Sequence, residues 1–148
     1  MEIKTVMPAS PCQKVVIRLE LRIMSQKKKI LIVEDDQYIR ELYEGILSDV
    51  GYEVATANDG QEGLTKLNDG SFDLVLLDVM MPNLDGIGVL KELKAKYEKG
   101  LPFTVILLTN LAHDSVIDEA LSLGAKGYLT KSELNPDEFL EQVKKNLS

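Results

Sequence analysis

From Lys28 onward, short apolar runs alternate with amphipathic segments five times over, and that rhythm admits few folds. A strand followed by a helix, repeated, is the signature of βαβ units. Their parallel strands are buried on both faces, so they read as unbroken apolar runs. The spacing predicts strands near 29–33, 53–57, 73–77, 103–108 and 126–129, and helices near 37–49, 60–68, 86–97, 114–123 and 136–147. In the first helix of the repeat Tyr38, Ile39, Leu42, Tyr43, Ile46 and Leu47 fall at helical spacing, with Asp36 as the N-cap and Gly51 as the stop. Asn58-Asp59-Gly60 marks the turn before the second helix, and Asn135-Pro136 opens the last with proline in the first helical position. Right-handed crossovers then place helices on both faces of the sheet, giving a doubly wound α/β domain.

Two of the apolar runs end in acid. Ile30-Leu31-Ile32-Val33 stops at Glu34-Asp35-Asp36, and Phe72-Asp73-Leu74-Val75-Leu76-Leu77 stops at Asp78. In an open α/β sheet the carboxyl ends of the strands are where ligands bind, so these acids emerge together as a cation-attracting pocket. Carboxylates also favour the positive end of a helix, and that simpler role suffices for Asp36.

With 148 residues and 45% hydrophobic content the chain fills one core. A net charge of −7 argues against sequence-independent nucleic-acid binding, which needs clustered Lys and Arg. The single cysteine, Cys12, forms no internal disulfide, and no apolar stretch approaches the roughly 20 residues of a membrane span. The expected compartment is cytoplasmic.

Residues 1–26 read as an N-terminal extension ahead of the domain at 27–148. Ile17, Leu19, Leu21 and Ile23 alternate with Arg18, Glu20 and Arg22, the period-two pattern of a half-exposed strand that adds to a sheet edge or pairs between chains. The competing expectation is an upstream start ahead of Met24-Ser25-Gln26, with residues 1–23 disordered. A secretory signal is disfavoured, since the long apolar stretch and small-residue cleavage site are missing.

At the ends of strands one, three, four and five stand Glu34-Asp35, Asp78, Thr109 and Lys131. Through Lys28-Lys29-Ile30-Leu31-Ile32-Val33-Glu34-Asp35-Asp36, Asp73 to Pro82, Leu107-Leu108-Thr109 and Gly124 to Lys131, the sequence resembles the receiver domains of two-component response regulators. The match runs in order over residues 28–147. The resemblance implies a flavodoxin-like five-stranded parallel sheet of order 2-1-3-4-5. It implies that Asp78 is the nucleophile that accepts a phosphoryl group, and that Asp35 and Asp78 ligate Mg²⁺ directly. Glu34 acts largely through water, and the main-chain carbonyl of Met80 completes the protein ligands. By the same resemblance Lys131 and Thr109 hold the phosphoryl oxygens, and Tyr128 turns inward as Thr109 moves. The resemblance implies a histidine kinase or phosphotransfer protein as donor, and a downstream protein that meets the fourth helix, fifth strand and fifth helix of the repeat. It implies a self-catalysing phosphoacceptor and not a turnover enzyme, and the C-terminal end close to the last helix leads to the expectation of a stand-alone receiver.

Two residues depart from the family pattern. Ser132 replaces the proline that usually follows the lysine in a cis peptide, so the Lys131–Ser132 bond is either trans with an adjusted loop or cis under strain. Asn110 stands where a small residue usually follows the threonine. His113, the only histidine, is expected to face solvent without a phosphotransfer role. Among rivals, a flavodoxin-like cofactor binder is disfavoured because Glu34-Asp35-Asp36 would repel the cofactor phosphate. A phosphohydrolase would need an acid where Met80 stands. The remaining alternative is a degenerate receiver that binds partners without phosphorylation, kept open by Ser132 and Asn110.

Overall fold

The computed structural model describes residues 10–25, 27–110 and 114–147. Its sheet contains β1 (Lys29–Val33), β2 (Glu53–Ala57), β3 (Leu74–Asp78), β4 (Thr104–Thr109) and β5 (Gly127–Thr130). The helices are α1 (Pro11–Ser25), α2 (Gln37–Asp49), α3 (Gly60–Asp69), α4 (Gly86–Lys96), α5 (Asp114–Ser122) and α6 (Pro136–Leu147). All strand pairs are parallel and their order is β2-β1-β3-β4-β5, as expected from the resemblance. Strands three to five each begin one residue later than the apolar pattern suggested.

Because side chains alternate across a strand, each central strand feeds two cores. Leu31, Val33, Val75, Leu77, Val105 and Leu107 face Leu67 of α3, Val89, Leu90 and Leu93 of α4 and Ala120 of α5. Ile30, Ile32, Leu74, Leu76, Ile106 and Leu108 face Tyr43 and Leu47 of α2 and Phe139 and Val143 of α6. The Tyr43 and Phe139 rings stack with centroids 4.4 Å apart, tying α2 to α6 on that face. Each fully buried Leu or Ile contributes about 1.5–3 kcal/mol from removal of apolar surface from water, so the central strands anchor the domain.

Helix ends follow the sequence signals. The Asp36 carboxylate accepts from the Ile39 amide at 3.0 Å. Asn135 accepts from the Glu138 amide at 2.9 Å while Glu138 accepts from the Asn135 amide at 3.2 Å, a reciprocal capping box ahead of Pro136. Gly51, with φ of +97°, follows the C-cap of α2.

The N-terminal extension departs from expectation. Residues 11–25 form a helix, neither an edge strand nor disordered chain. Ser10 and Gln13 explain its start: the Gln13 amide donates to Ser10 Oγ at 3.2 Å and the Ser10 amide to Gln13 Oε1 at 2.8 Å, with Pro11 in the first turn. A helix pairs its own backbone groups, whereas a strand needs a neighbour to supply half of its ladder. Val15, Val16, Ile17, Leu19 and Leu21 all stay exposed. Residues 1–9 and 26 lie outside the described residues.

Candidate functional site

The strand register assembles the site. Val33 lies opposite Leu77 in the β1–β3 pair, so Glu34 and Asp35 leave β1 beside the end of β3, where Asp78 sits. On the other side Asp78 pairs with Leu108, and the Val79 amide donates to the Leu108 carbonyl at 3.2 Å, which places Thr109 next to the acid. Thr109 pairs with Thr130, and the Lys131 amide donates to the Thr109 carbonyl at 2.7 Å. Four strands thus deliver carboxylates, a hydroxyl and an ammonium to one edge.

Lys131 lies at the centre of this edge. Its ammonium is 3.1 Å from Asp78 Oδ2 and also contacts Glu34 Oε2, and its side chain is only 6% exposed. Glu34, Asp78 and Thr109 are likewise buried. Asp35 is exposed at the rim. The Lys131–Ser132 peptide is trans, so the sequence alternative of a strained cis bond does not occur. A turn in which the Glu133 amide donates to the Thr130 carbonyl at 3.2 Å follows the lysine instead. Asn110 is exposed and borders the same cleft. Tyr128 on β5 is 45% exposed, and the Met80 side chain points to solvent. His113 lies outside the described residues.

The electrostatics follow from burying two acids beside one base. Burial, reinforced by repulsion from Asp78, pushes the Glu34 carboxyl up to about 7, against the pull of Lys131. Burial also raises Asp78, again opposed by Lys131. Burial alone would lower the Lys131 ammonium, but the Glu34 and Asp78 carboxylates together hold it above its ordinary value.

Carboxylate oxygens of Glu34, Asp35 and Asp78 lie within 4.8 Å of one another. They are hard oxygen donors, the type Mg²⁺ selects, and Mg²⁺ tolerates a partial protein shell because it retains waters. The donor set therefore fits the cation. The cleft around it measures about 680 Å³ and extends past Ile87 and Lys91 of α4 toward Val116 and Ile117 of α5.

Sequence reasoning missed Arg40. Its guanidinium donates to the main-chain carbonyls of Glu34 at 2.8 Å and Asp35 at 3.3 Å, tying the acidic loop to α2. No pattern marks such a residue, because its partners are backbone atoms shared by every sequence.

A family model described as the response regulator receiver domain matches residues 30–144. Among curated proteins, the chain is 43% identical over 119 residues to the alkaline phosphatase synthesis transcriptional regulatory protein PhoP of Bacillus subtilis, covering 79% of this chain and 47% of that protein. The chain spans about half the length of the curated relatives it matches. Among solved structures, a CheY-like response regulator receiver domain protein of Methanospirillum hungatei superposes with a TM-score of 0.75 at 33% identity, covering 82% of this chain and 94% of that one. The response regulator TrrA of Thermotoga maritima, solved in complex with Mg²⁺ and BeF, superposes at 0.70 with 40% identity, covering 81% and 99%.

Proposed function

The chain belongs to the response regulator receiver domain family, and from that premise we propose that Asp78 accepts a phosphoryl group from a phosphohistidine on a histidine kinase or phosphotransfer protein. The observation that carries this reading is the buried Asp78 carboxylate held 3.1 Å from Lys131 beside the acids of the β1 loop. One Asp78 oxygen attacks phosphorus, the phosphorus–nitrogen bond breaks, and the donor imidazole leaves with that electron pair. Asp35, Asp78 and the Met80 carbonyl, with Glu34 through water, would hold Mg²⁺, which would supply the positive charge that lets anion approach anion.

Once phosphorylated, Asp78 offers oxygens to which the Lys131 ammonium and the Thr109 hydroxyl donate charge-assisted hydrogen bonds. Lys131 must loosen its hold on Glu34 to do so. Movement of Thr109 makes room on its far side, and the exposed Tyr128 turns into that space. The surface of α5, β5 and α6 changes with it, and a protein partner that binds one form more tightly than the other reads the change. The complete set of acids, threonine and lysine disfavours a phosphorylation-independent binding module. No helix among the described residues is long and apolar enough to cross a membrane, and the expected compartment is cytoplasmic. Autodephosphorylation, by water attacking the same phosphorus, belongs to the same chemistry.

Intact-mass spectrometry after incubation with acetyl phosphate tests the reading. Wild type should gain one phosphoryl group only with Mg²⁺, and Asp78→Asn should gain none. Undiminished labelling of Asp78→Asn would move the nucleophile elsewhere.

A further inference from the structure

The turn between β2 and α3 contributes no candidate ligand to the acidic site, yet it grips the loop that does. Asn83, in the segment joining β3 to α4, has φ of +66° and is the only non-glycine with positive φ among the described residues. Its amide Nδ2 donates to Asp59 Oδ2 at 2.8 Å. The other Asp59 oxygen, Oδ1, accepts from the Glu62 amide at 2.8 Å and caps α3. Both oxygens of one carboxylate are therefore used, one to start a helix and one to hold a loop 24 residues away. Those hydrogen bonds keep the Asp59 carboxyl below its ordinary value, so it accepts as an anion at neutral pH.

Backbone packing reinforces the grip. A Cβ on Gly60 would come within 2.3 Å of the Leu84 carbonyl oxygen, so the turn and the loop meet main chain to main chain. At the root of the loop the Gly86 amide donates to the Val79 carbonyl at 2.9 Å, and a Cβ on Gly86 would come within 2.4 Å of the Asp78 carbonyl oxygen. Between these anchors the chain has little freedom, and it carries Met80 beside Asp78. A left-handed asparagine is strained and persists where surrounding structure over-determines it. Here the surrounding structure is Asp59.

We propose that Asp59 and Asn83 are a positioning pair that sets the affinity of the acidic site for Mg²⁺, by fixing the β3–α4 loop against the β2–α3 turn. The inference rests on the Mg²⁺-dependent reading of that site. Neither residue touches the cation, and each acts through the position of the main chain at residues 79–82. Outer-shell partners of this kind commonly change metal affinity about tenfold or more when removed.

The test is calorimetric titration of the full chain with MgCl₂ in a set of variants chosen to leave other features intact. Asn83→Gly keeps the positive φ and removes the amide. Asp59→Ser keeps an N-cap for α3 and removes the second acceptor. Each single variant should weaken Mg²⁺ binding by roughly tenfold, and the double variant by no more than the worse single one. The exchanged pair, Asp59→Asn with Asn83→Asp, reverses the hydrogen bond and retains a capping oxygen, so it should recover wild-type affinity to within about twofold. The Mg²⁺ concentration for half-maximal acetyl phosphate labelling should move with the affinity, while the rate at saturating Mg²⁺ stays near that of wild type.

Unchanged affinity in Asn83→Gly, losses that multiply in the double variant, or failure of the exchanged pair to recover would each overturn the pair. A wild-type protein that binds no Mg²⁺ would instead overturn the cation-dependent reading beneath it. Metal-free melting temperatures separate positioning from folding: a fall in Asn83→Gly matching its loss of affinity would assign the effect to general stability and refute the proposal.

Discussion

Replacing Lys131 by methionine removes a buried ammonium and leaves its two buried partners, Glu34 and Asp78, without compensation. Breaking a buried ion pair from one side costs about 3–5 kcal/mol in a closed interior. Two features of this site lower that figure. The cleft of about 680 Å³ gives water access to the strand ends, and Glu34, already raised to about 7, takes up a proton near neutrality and removes one charge. A loss of about 2–3 kcal/mol in metal-free buffer at pH 7.5 follows. For a domain of this size that is on the order of 10 °C in melting temperature. Mg²⁺ held by the acids as proposed would share its carboxylates with Lys131 in wild type but not in the variant. Added Mg²⁺ should therefore raise the melting temperature of Lys131→Met by more than that of wild type, and the variant should still be labelled on Asp78 while switching poorly. Circular dichroism melts with and without Mg²⁺ measure both quantities. A metal-free melting temperature within about 2 °C of wild type, or a smaller Mg²⁺ shift in the variant, would show that Lys131 is not the charge partner derived from the geometry.

The raised Glu34 carboxyl sets the pH dependence of the metal-free protein. The folded state holds a proton that the unfolded chain releases near the ordinary value of 4.5, so stability should fall as pH rises from about 4.5 through about 7. Melting temperatures across that window check the sign, and Mg²⁺ should flatten the decline by holding the carboxylates ionised. Removal of residues 1–23 should leave the melting temperature and acetyl phosphate labelling nearly unchanged, because Val15, Val16, Ile17, Leu19 and Leu21 all lie exposed. A drop of several degrees in the truncated protein would show that α1 packs on the domain in solution.

Much of this protein is determined along the chain itself. Apolar runs of strand length between amphipathic segments of helix length point to buried parallel strands, and helices on both faces of an open sheet hide both sides of each run. That constraint located all five strands of the sheet and the five helices after β1 to within about two residues. The acids after Val33 and Leu77, and Thr109 and Lys131 at later strand ends, were legible for the same reason: parallel strands in register deliver their ends to one edge. The extension was not legible, because Ile17, Leu19 and Leu21 fit a strand in period and a helix in length. The Ser10–Gln13 box and the lack of a ladder partner favoured the helix.

Only the tertiary structure decided how the site is held. Lys131 contacting both Glu34 and Asp78, and Asp59 grasping Asn83, join segments distant in sequence, while Arg40 ties the acidic loop just ahead of it by main-chain carbonyls. Residue type does not mark these contacts, since an arginine on a helix or an aspartate in a turn is ordinary. The sheet brings their partners within 3.5 Å, where distance turns a solvated charge into a positioned one.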